Sequence, residues 1–322
     1  MEETNTTDLS LSNETSGYED SHDIYRSDCI EHHWILIISG VCIGVCLCGF
    51  VGNVVVVWFL SFQMKKNPFT VYVLNLAVAD LALLLFLAAC LTLLILTEIY
   101  CLYSAEYYYV TIILLALYTF SSFASMYLLS AMSLDRCLSV LFPIWYRCRR
   151  PGNLSGITCG VLWALAALFA SVILIFCFLG INCLSVTQSV ITVNVLIFSL
   201  FPFLSNLALF IRLRCGARRR HPGKLYVAVL LSVTFLFIFG TALCVASFTE
   251  YLLNNILHFL ILIFVTSLNS SVNPVIYFLV GSCRQRRFHG SVKVALRRVF
   301  EEKAPSEDGS RGPGDTAAET SL

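Results

Sequence analysis

Seven stretches of this chain are apolar almost without interruption, and each meets the roughly 20 residues that a helix needs to cross a hydrocarbon core about 30 Å thick. They run at about Trp34–Leu60, Phe69–Leu96, Tyr107–Leu138, Ile157–Leu179, Val186–Ile211, Leu225–Thr249 and Leu257–Val280, separated by short polar gaps. Lipid offers no partner to backbone N–H and C=O groups, so such runs must satisfy them internally as helices. The pattern predicts an all-α membrane protein, a seven-transmembrane-helix bundle spanning residues 34–282. Composition agrees: 58% of residues are hydrophobic and only 13% charged, which excludes a soluble domain.

Charge sets the expected orientation. Lys and Arg flanking membrane spans stay on the cytoplasmic side, and here they fill alternate gaps: Lys65 and Lys66; Arg136, Arg147, Arg149 and Arg150; Arg212 to Lys224; and Arg284 onward. Of the 21 Lys and Arg residues, only Arg26 falls on the other side. Seven spans with this bias predict an extracellular N-terminus and a cytoplasmic C-terminus at the plasma membrane. Residues 1–33 form an acidic tail in which Asn5-Thr-Thr and Asn13-Glu-Thr are glycosylation sequons. The basic start and apolar centre of a cleavable signal are missing, so the first span is expected to serve as an uncleaved one. Two other sequons, at Asn153 and Asn269, fall in cytosolic or membrane positions and read as chance.

Polar residues inside the apolar runs carry the functional signal. The charge-free stretch beginning at Tyr107 ends abruptly at Asp135-Arg136. By itself this pair fits two residues marking a membrane edge as well as it fits a site. Asp80 in the second run is different, because an ionisable residue in mid-membrane is costly and must face the bundle interior. Gly52-Asn53, Ser125, Trp163, Pro202 and Asn269-Ser-Ser-Val-Asn-Pro-Val-Ile-Tyr277 add polar or helix-breaking residues in the other runs.

This set, in this order across seven spans, resembles the rhodopsin-like G-protein-coupled receptors over about residues 34–300. Within them, Lys65-Lys-Asn-Pro-Phe, the stretch from Arg136-Cys to Arg150-Pro151, and Asn273-Pro-Val-Ile-Tyr are similar to the Mas-related receptors, which carry Cys rather than Tyr after the Asp-Arg pair, as Cys137 does. The resemblance implies a receptor, not an enzyme, that answers an extracellular ligand through a heterotrimeric G protein. It implies an activation switch of Asp135, Arg136, Asn273, Pro274 and Tyr277, in which Arg136 pairs with Asp135 at rest and leaves it to meet an inserted G-protein helix. It also implies an oxygen-rich cluster of Asp80, Ser125, Asn269, Ser270 and Asn273 that can hold a sodium ion. Hard cations favour such ligands; a protonated, hydrogen-bonded Asp80 is the plainer alternative. No other cofactor and no nucleic-acid partner are expected.

Departures from the wider family are informative. Gly240 and Ala242 stand where most relatives have Trp and Pro, which predicts a straighter sixth helix. His221-Pro-Gly-Lys224 offers no acid to tether Arg136, and Phe210 replaces a Tyr that many relatives use to engage it, so ligand-independent signalling is expected. The 14 cysteines behave mostly as small hydrophobes. The usual outer Cys of the third span is missing near Thr111; Cys177 and Cys183 instead match the pair that Mas-related receptors staple between the fourth and fifth helices. Cys29 with Cys101 is a second candidate bridge.

The ligand is less legible. Tyr118 occupies the place where amine receptors hold an Asp, and the acidic pair of some Mas-related receptors is replaced by Ile173 and Gln188, so a monoamine is not expected. Glu98, Glu106 and the tail acids make a negative rim that steers cations inward. Tyr107, Tyr108, Tyr109, Tyr118, Gln188 and His258 are the candidate contacts, with packing or an interfacial belt as their alternative role. A peptide or a small amphiphilic cation fits this description.

After the last span, residues 283–300 place Phe288, Val292, Leu296 and Phe300 at four-residue spacing among Lys and Arg. That predicts a short amphipathic eighth helix on the inner leaflet. Residues 301–322 read as a disordered cytoplasmic tail with hydroxyl residues suited to arrestin recruitment, ending in Thr-Ser-Leu322, which fits PDZ-domain capture. Cys283 reads as a buried thiol, with palmitoylation as its alternative, and Tyr18 is a sulfation candidate. The rival class is a transporter or channel with a buried Asp site, but the chain has no two-half repeat of the transporter kind.

Overall fold

The computed structural model describes residues 33–64, 67–100, 105–215, 227–235, 237–238 and 256–282. Helices among them are α1 (His33–Phe62), α2 (Pro68–Tyr100), α3 (Ala105–Leu141), the short α4 (Pro143–Cys148), α5 (Leu154–Phe178), α6 (Cys183–Val195), α7 (Phe201–Cys215) and α8 (Ile256–Ser282). A π-helical turn, Leu196–Leu200, joins α6 to α7, and residues 227–235 are helical as well. There is no strand among the described residues. The tails with Asn5, Asn13, Cys29, Cys283 and Leu322, the amphipathic segment at 283–300, Cys101, and Gly240 and Ala242 lie outside them.

Five described helices are long and apolar enough to span a membrane, at His33–Phe62, Pro68–Tyr100, Glu106–Ser139, Leu154–Phe178 and Cys183–Ala208; α8 contributes a shorter apolar segment, Ile263–Leu279. The predicted fifth run starts three residues late. Cys183 already begins the helix because Gly180 (φ 66°) and Asn182 (φ 47°) take left-handed conformations that reverse the chain over a very short connection. Large apolar side chains such as Ile37, Val51, Trp58, Ile157 and Leu168 point outward. In water such a surface would be an anomaly; against acyl chains it is solvated.

Burial identifies α3 as the central helix: half of its apolar span is buried, against 22% of that in α5. Phe123, Ala124, Tyr127, Leu128, Leu129 and Met132 of α3 form the middle of the main core with Leu76 and Ala79 of α2, Ala166 of α5, Val195 of α6 and Tyr277 of α8. A second cluster joins α1, α2 and α8 through Cys42, Cys46, Leu84, Leu87, Leu260 and Ile263.

Two prolines break helical hydrogen bonding, and in each case a polar side chain from another helix fills the gap. Pro274 cannot donate to the carbonyl of Ser270 four residues back; Asn53 of α1 donates its amide there instead, at 3.2 Å. That requires α1 and α8 to approach closely, and Gly52 permits it: a Cβ there would lie 3.2 Å from Pro274. Pro202 likewise leaves the carbonyl of Phe198, which accepts from the Ser130 hydroxyl of α3. The π-turn directly before Pro202 absorbs the missing bond in the backbone.

Candidate functional site

Asp80 is fully buried near the middle of α2. Its two carboxylate oxygens are occupied by donors from two other helices: the Ser125 hydroxyl of α3 donates to Oδ1 at 2.6 Å, and the Asn273 amide of α8 donates to Oδ2 at 2.8 Å. Ser270, one turn before Asn273, is also fully buried and lies beside the same carboxylate, but its hydroxyl completes no hydrogen bond among the described residues. Asn269 is half-buried with no described bond to Asp80. Three of the five residues expected in this cluster are therefore bonded together and a fourth faces them. No cation stands near Asp80 in any of these contacts. An ionised carboxylate in such a place needs a matching charge.

Tyr277, one turn beyond Asn273, is almost wholly buried in the main core. Asn273, Pro274 and Tyr277 thus lie along one face of α8, with the first of them tied to Asp80. Elsewhere in the interior, the Trp163 indole of α5 donates to Asn75 Oδ1 of α2 at 3.1 Å. Tyr127 bonds to Asn194 across α3 and α6.

The second aspartate, Asp135, lies near the C-terminal end of α3 and is 6% exposed. Arg136 donates to its Oδ2 at 2.6 Å, as the resemblance implied. The arrangement contains more than that pair. Arg150, just before α5, donates to Oδ1 at 2.7 Å and to the buried Ser155 hydroxyl at 2.8 Å. The Tyr146 phenol of α4 donates to Oδ2 at 2.8 Å and accepts from Arg136 at 3.1 Å. Burial, more than the neighbouring charges, pushes the Tyr146 phenol up to about 12, so it remains a neutral donor throughout the physiological range. Both guanidinium groups also rest on aromatic faces, Arg136 over Phe69 at 4.5 Å and Arg150 over Tyr146 at 4.7 Å.

Reading the sequence alone missed Arg150 and Tyr146 as partners of Asp135, and Ser155 as the second acceptor of Arg150. The signal of Tyr146 and Arg150 was present as the dense Trp-Tyr-Arg-Cys-Arg-Arg run after Phe142, but that an arginine of this run reaches back 15 residues depends on how α4 packs under α3. Phe210, expected not to engage Arg136, packs with Leu230 against Cys137.

At the opposite end of the bundle, Cys177 and Cys183 are joined in a disulfide that links α5 to α6. The candidate ligand contacts are spread around that end. Tyr107, Gln188 and Glu98 are half-buried, Glu106, Tyr108 and Tyr109 are exposed, and the side chain of His258 lies outside the described ones. Tyr109 stacks on Phe178 at 5.6 Å, and Tyr118 is deeper, bonded to Thr266 of α8. An open groove of about 520 Å³ lies at the other end, lined by Asn67, Pro68, Val71 and residues of the Gly152–Ile157 stretch.

Comparison with known proteins places this geometry. The sequence model of the 7 transmembrane receptor (rhodopsin family) matches residues 52–277, which contain both aspartates and the Asn273–Tyr277 segment. The chain is 35% identical over 286 residues to the rat protein named Proto-oncogene Mas, covering 84% of this chain and 86% of that one. It is 39% identical over 294 residues to Mas-related G-protein coupled receptor member D of Macaca fascicularis, covering 87% and 90%. The human member D is 37% identical over 310 residues, covering 92% and 94%. A transporter or channel finds no support among these relatives.

Proposed function

From the premise that the chain belongs to the rhodopsin family of seven-transmembrane receptors, and is a multi-pass G-protein-coupled receptor of the Mas-related kind, we propose that departure of Arg136 from Asp135 is what switches it on. The observation that carries this is the Asp135–Arg136 contact at 2.6 Å, a buried acid holding an always-charged base at one mouth of the bundle. In the resting arrangement Arg136 is occupied; once released, its donor fork is available to carbonyl groups of an inserted G-protein helix. Asn273, Pro274 and Tyr277 link that event to Asp80, because a bend in α8 moves Asn273 relative to the carboxylate it holds.

The Arg-rich gaps lie in the cytosol on this reading, and the tail bearing Asn5 and Asn13 lies outside. The ligand enters beside the Cys177–Cys183 staple, where Glu98 and Glu106 favour a cation, and a peptide or small amphiphilic cation is the class that fits Tyr107, Tyr118, Gln188 and His258. A sodium ion suits the Asp80 cluster: carboxylate, hydroxyl and amide oxygens are hard donors, and Ser270 keeps a buried hydroxyl without a partner among the described residues. Such an ion would neutralise Asp80, with Ser125, Ser270 and Asn273 fixing its surroundings. The cytoplasmic tail after residue 300 recruits arrestin through its hydroxyl residues once phosphorylated, and Leu322 offers its carboxylate to a PDZ domain.

The reading is tested in cells that carry G-protein dissociation sensors and are screened with cationic peptides and amphiphiles. Activation by the intact chain that is lost in Arg136→Ala at equal surface density supports it. Ion current or solute flux without G-protein activation contradicts it.

A further inference from the structure

Asp135 has two counter-ions where one would neutralise it, and they differ in what holds them. Arg136 projects from α3 itself, donates to the Tyr146 hydroxyl as well as to Asp135 and rests on Phe69, yet it is 17% exposed and leaves its buried Nε without a hydrogen-bond partner among the described residues. Arg150 is 6% exposed, comes from the turn before α5, and ties two helices together: its Nη2 donates to Asp135 of α3 and to Ser155 of α5, while its guanidinium lies over Tyr146. Arg136 is thus the more exposed and less completely bonded of the two, whereas Arg150 is the more buried and bridges α3 to α5.

From this arrangement, and resting on the switch proposed above, we infer that Arg150 is the retained counter-ion of Asp135, the positioning residue that makes departure of Arg136 affordable. While both guanidinium groups are in place, Arg150 gains the attraction of one carboxylate but suffers the repulsion of a like charge that shares it. After Arg136 leaves, the attraction remains and the repulsion is gone. Arg150 therefore stabilises the released state more than the paired one, and only such a difference shifts an equilibrium. Without Arg150, Arg136 would abandon a buried carboxylate supported by the Tyr146 hydroxyl alone, and an unpaired buried charge is strongly unfavourable. The sign is opposite to that of a second lock. Removing a lock would raise coupling; removing Arg150 lowers it.

The test is agonist-free binding of the purified full-length receptor, in lipid nanodiscs, to a panel of nucleotide-free G-protein heterotrimers, titrated until binding saturates. Arg150→Gln weakens Kd by about tenfold, equivalent to roughly 1.4 kcal/mol and within the usual range of coupling between sites. In an Asp135→Asn background the same substitution changes nothing, because no carboxylate is left behind; a residue that merely held α5 in place would cost the same in both backgrounds. Arg150→Lys retains most of the affinity. Should Arg150→Gln not purify as a monodisperse receptor, Ser155→Ala, which removes only the second acceptor of Arg150, serves instead with an expected loss of about twofold.

A Kd for Arg150→Gln equal to or tighter than that of the unsubstituted receptor overturns the retained counter-ion, as does an equal loss in the Asp135→Asn background. Failure of both the unsubstituted receptor and Asp135→Asn to bind any heterotrimer overturns the switch itself.

Discussion

Asp80 and Asp135 are the two buried aspartates described in this bundle, and they satisfy their charge in opposite ways. Asp80 is held by a hydroxyl and an amide from α3 and α8, with no ion pair to it among the described residues. Asp135 touches two guanidinium groups and a phenol, all from the chain segment that follows it. The difference follows from depth. At the mouth of the bundle long cationic side chains can bury their stems and still find water nearby. In mid-membrane an Arg would itself be costly, so neutral donors must serve and the remaining charge is left to a proton or a small ion. Asp80 is thereby a joint between three helices. Asp135 is a clasp whose partners compete.

This contrast makes Asp80→Ala the most damaging substitution for stability. It orphans the Ser125 hydroxyl and Asn273 amide together, which costs about 3 kcal/mol and appears as a lowered thermal midpoint of the purified receptor. Asp80→Asn, which can still bond to both, costs less.

Replacing sodium by choline separates the two sites further. A sodium site half-filled near roughly 30 mM would add about 1 kcal/mol at ~150 mM. That increment is expected in the unsubstituted receptor and in Asp135→Asn, and is expected to vanish in Asp80→Asn. A sodium effect that survives Asp80→Asn would remove the ion from this cluster.

The uncharged bond from Trp163 to Asn75 supplies the baseline. Trp163→Phe keeps the packing against Phe120 and loses one neutral hydrogen bond, for an expected cost of about 0.5–1 kcal/mol. If it cost as much as Asp80→Ala, charge would not be what distinguishes the aspartate joint.

Much of this was legible in the sequence because lipid enforces simple rules. Apolar run length locates α1, α2, α3, α5 and α8, and the cost of an intramembrane acid singles out Asp80. Ser125 and Asn273 followed from the family pattern, as did the Cys177–Cys183 staple. What stayed hidden was pairing set by packing rather than by period. Nothing in the order of residues says that Trp163 meets Asn75 across 88 positions, or that Arg150 reaches back to Asp135. The early start of α6 was hidden for another reason: it rests on two left-handed residues, Gly180 and Asn182, whose conformation is a local backbone choice. The π-turn before Pro202 belongs to the same class. Proline announces a missing donor, but the sequence does not state which helix fills the gap.

The central claim is that Arg136 is restrained by Asp135 and acts when released. Guanine-nucleotide exchange on heterotrimeric G proteins, measured without agonist for the intact receptor and for Asp135→Asn in vesicles at matched receptor density, tests it most directly. The account predicts a rise of several-fold in Asp135→Asn, abolished by adding Arg136→Ala. An exchange rate that falls or stays level when Asp135 loses its charge would contradict it.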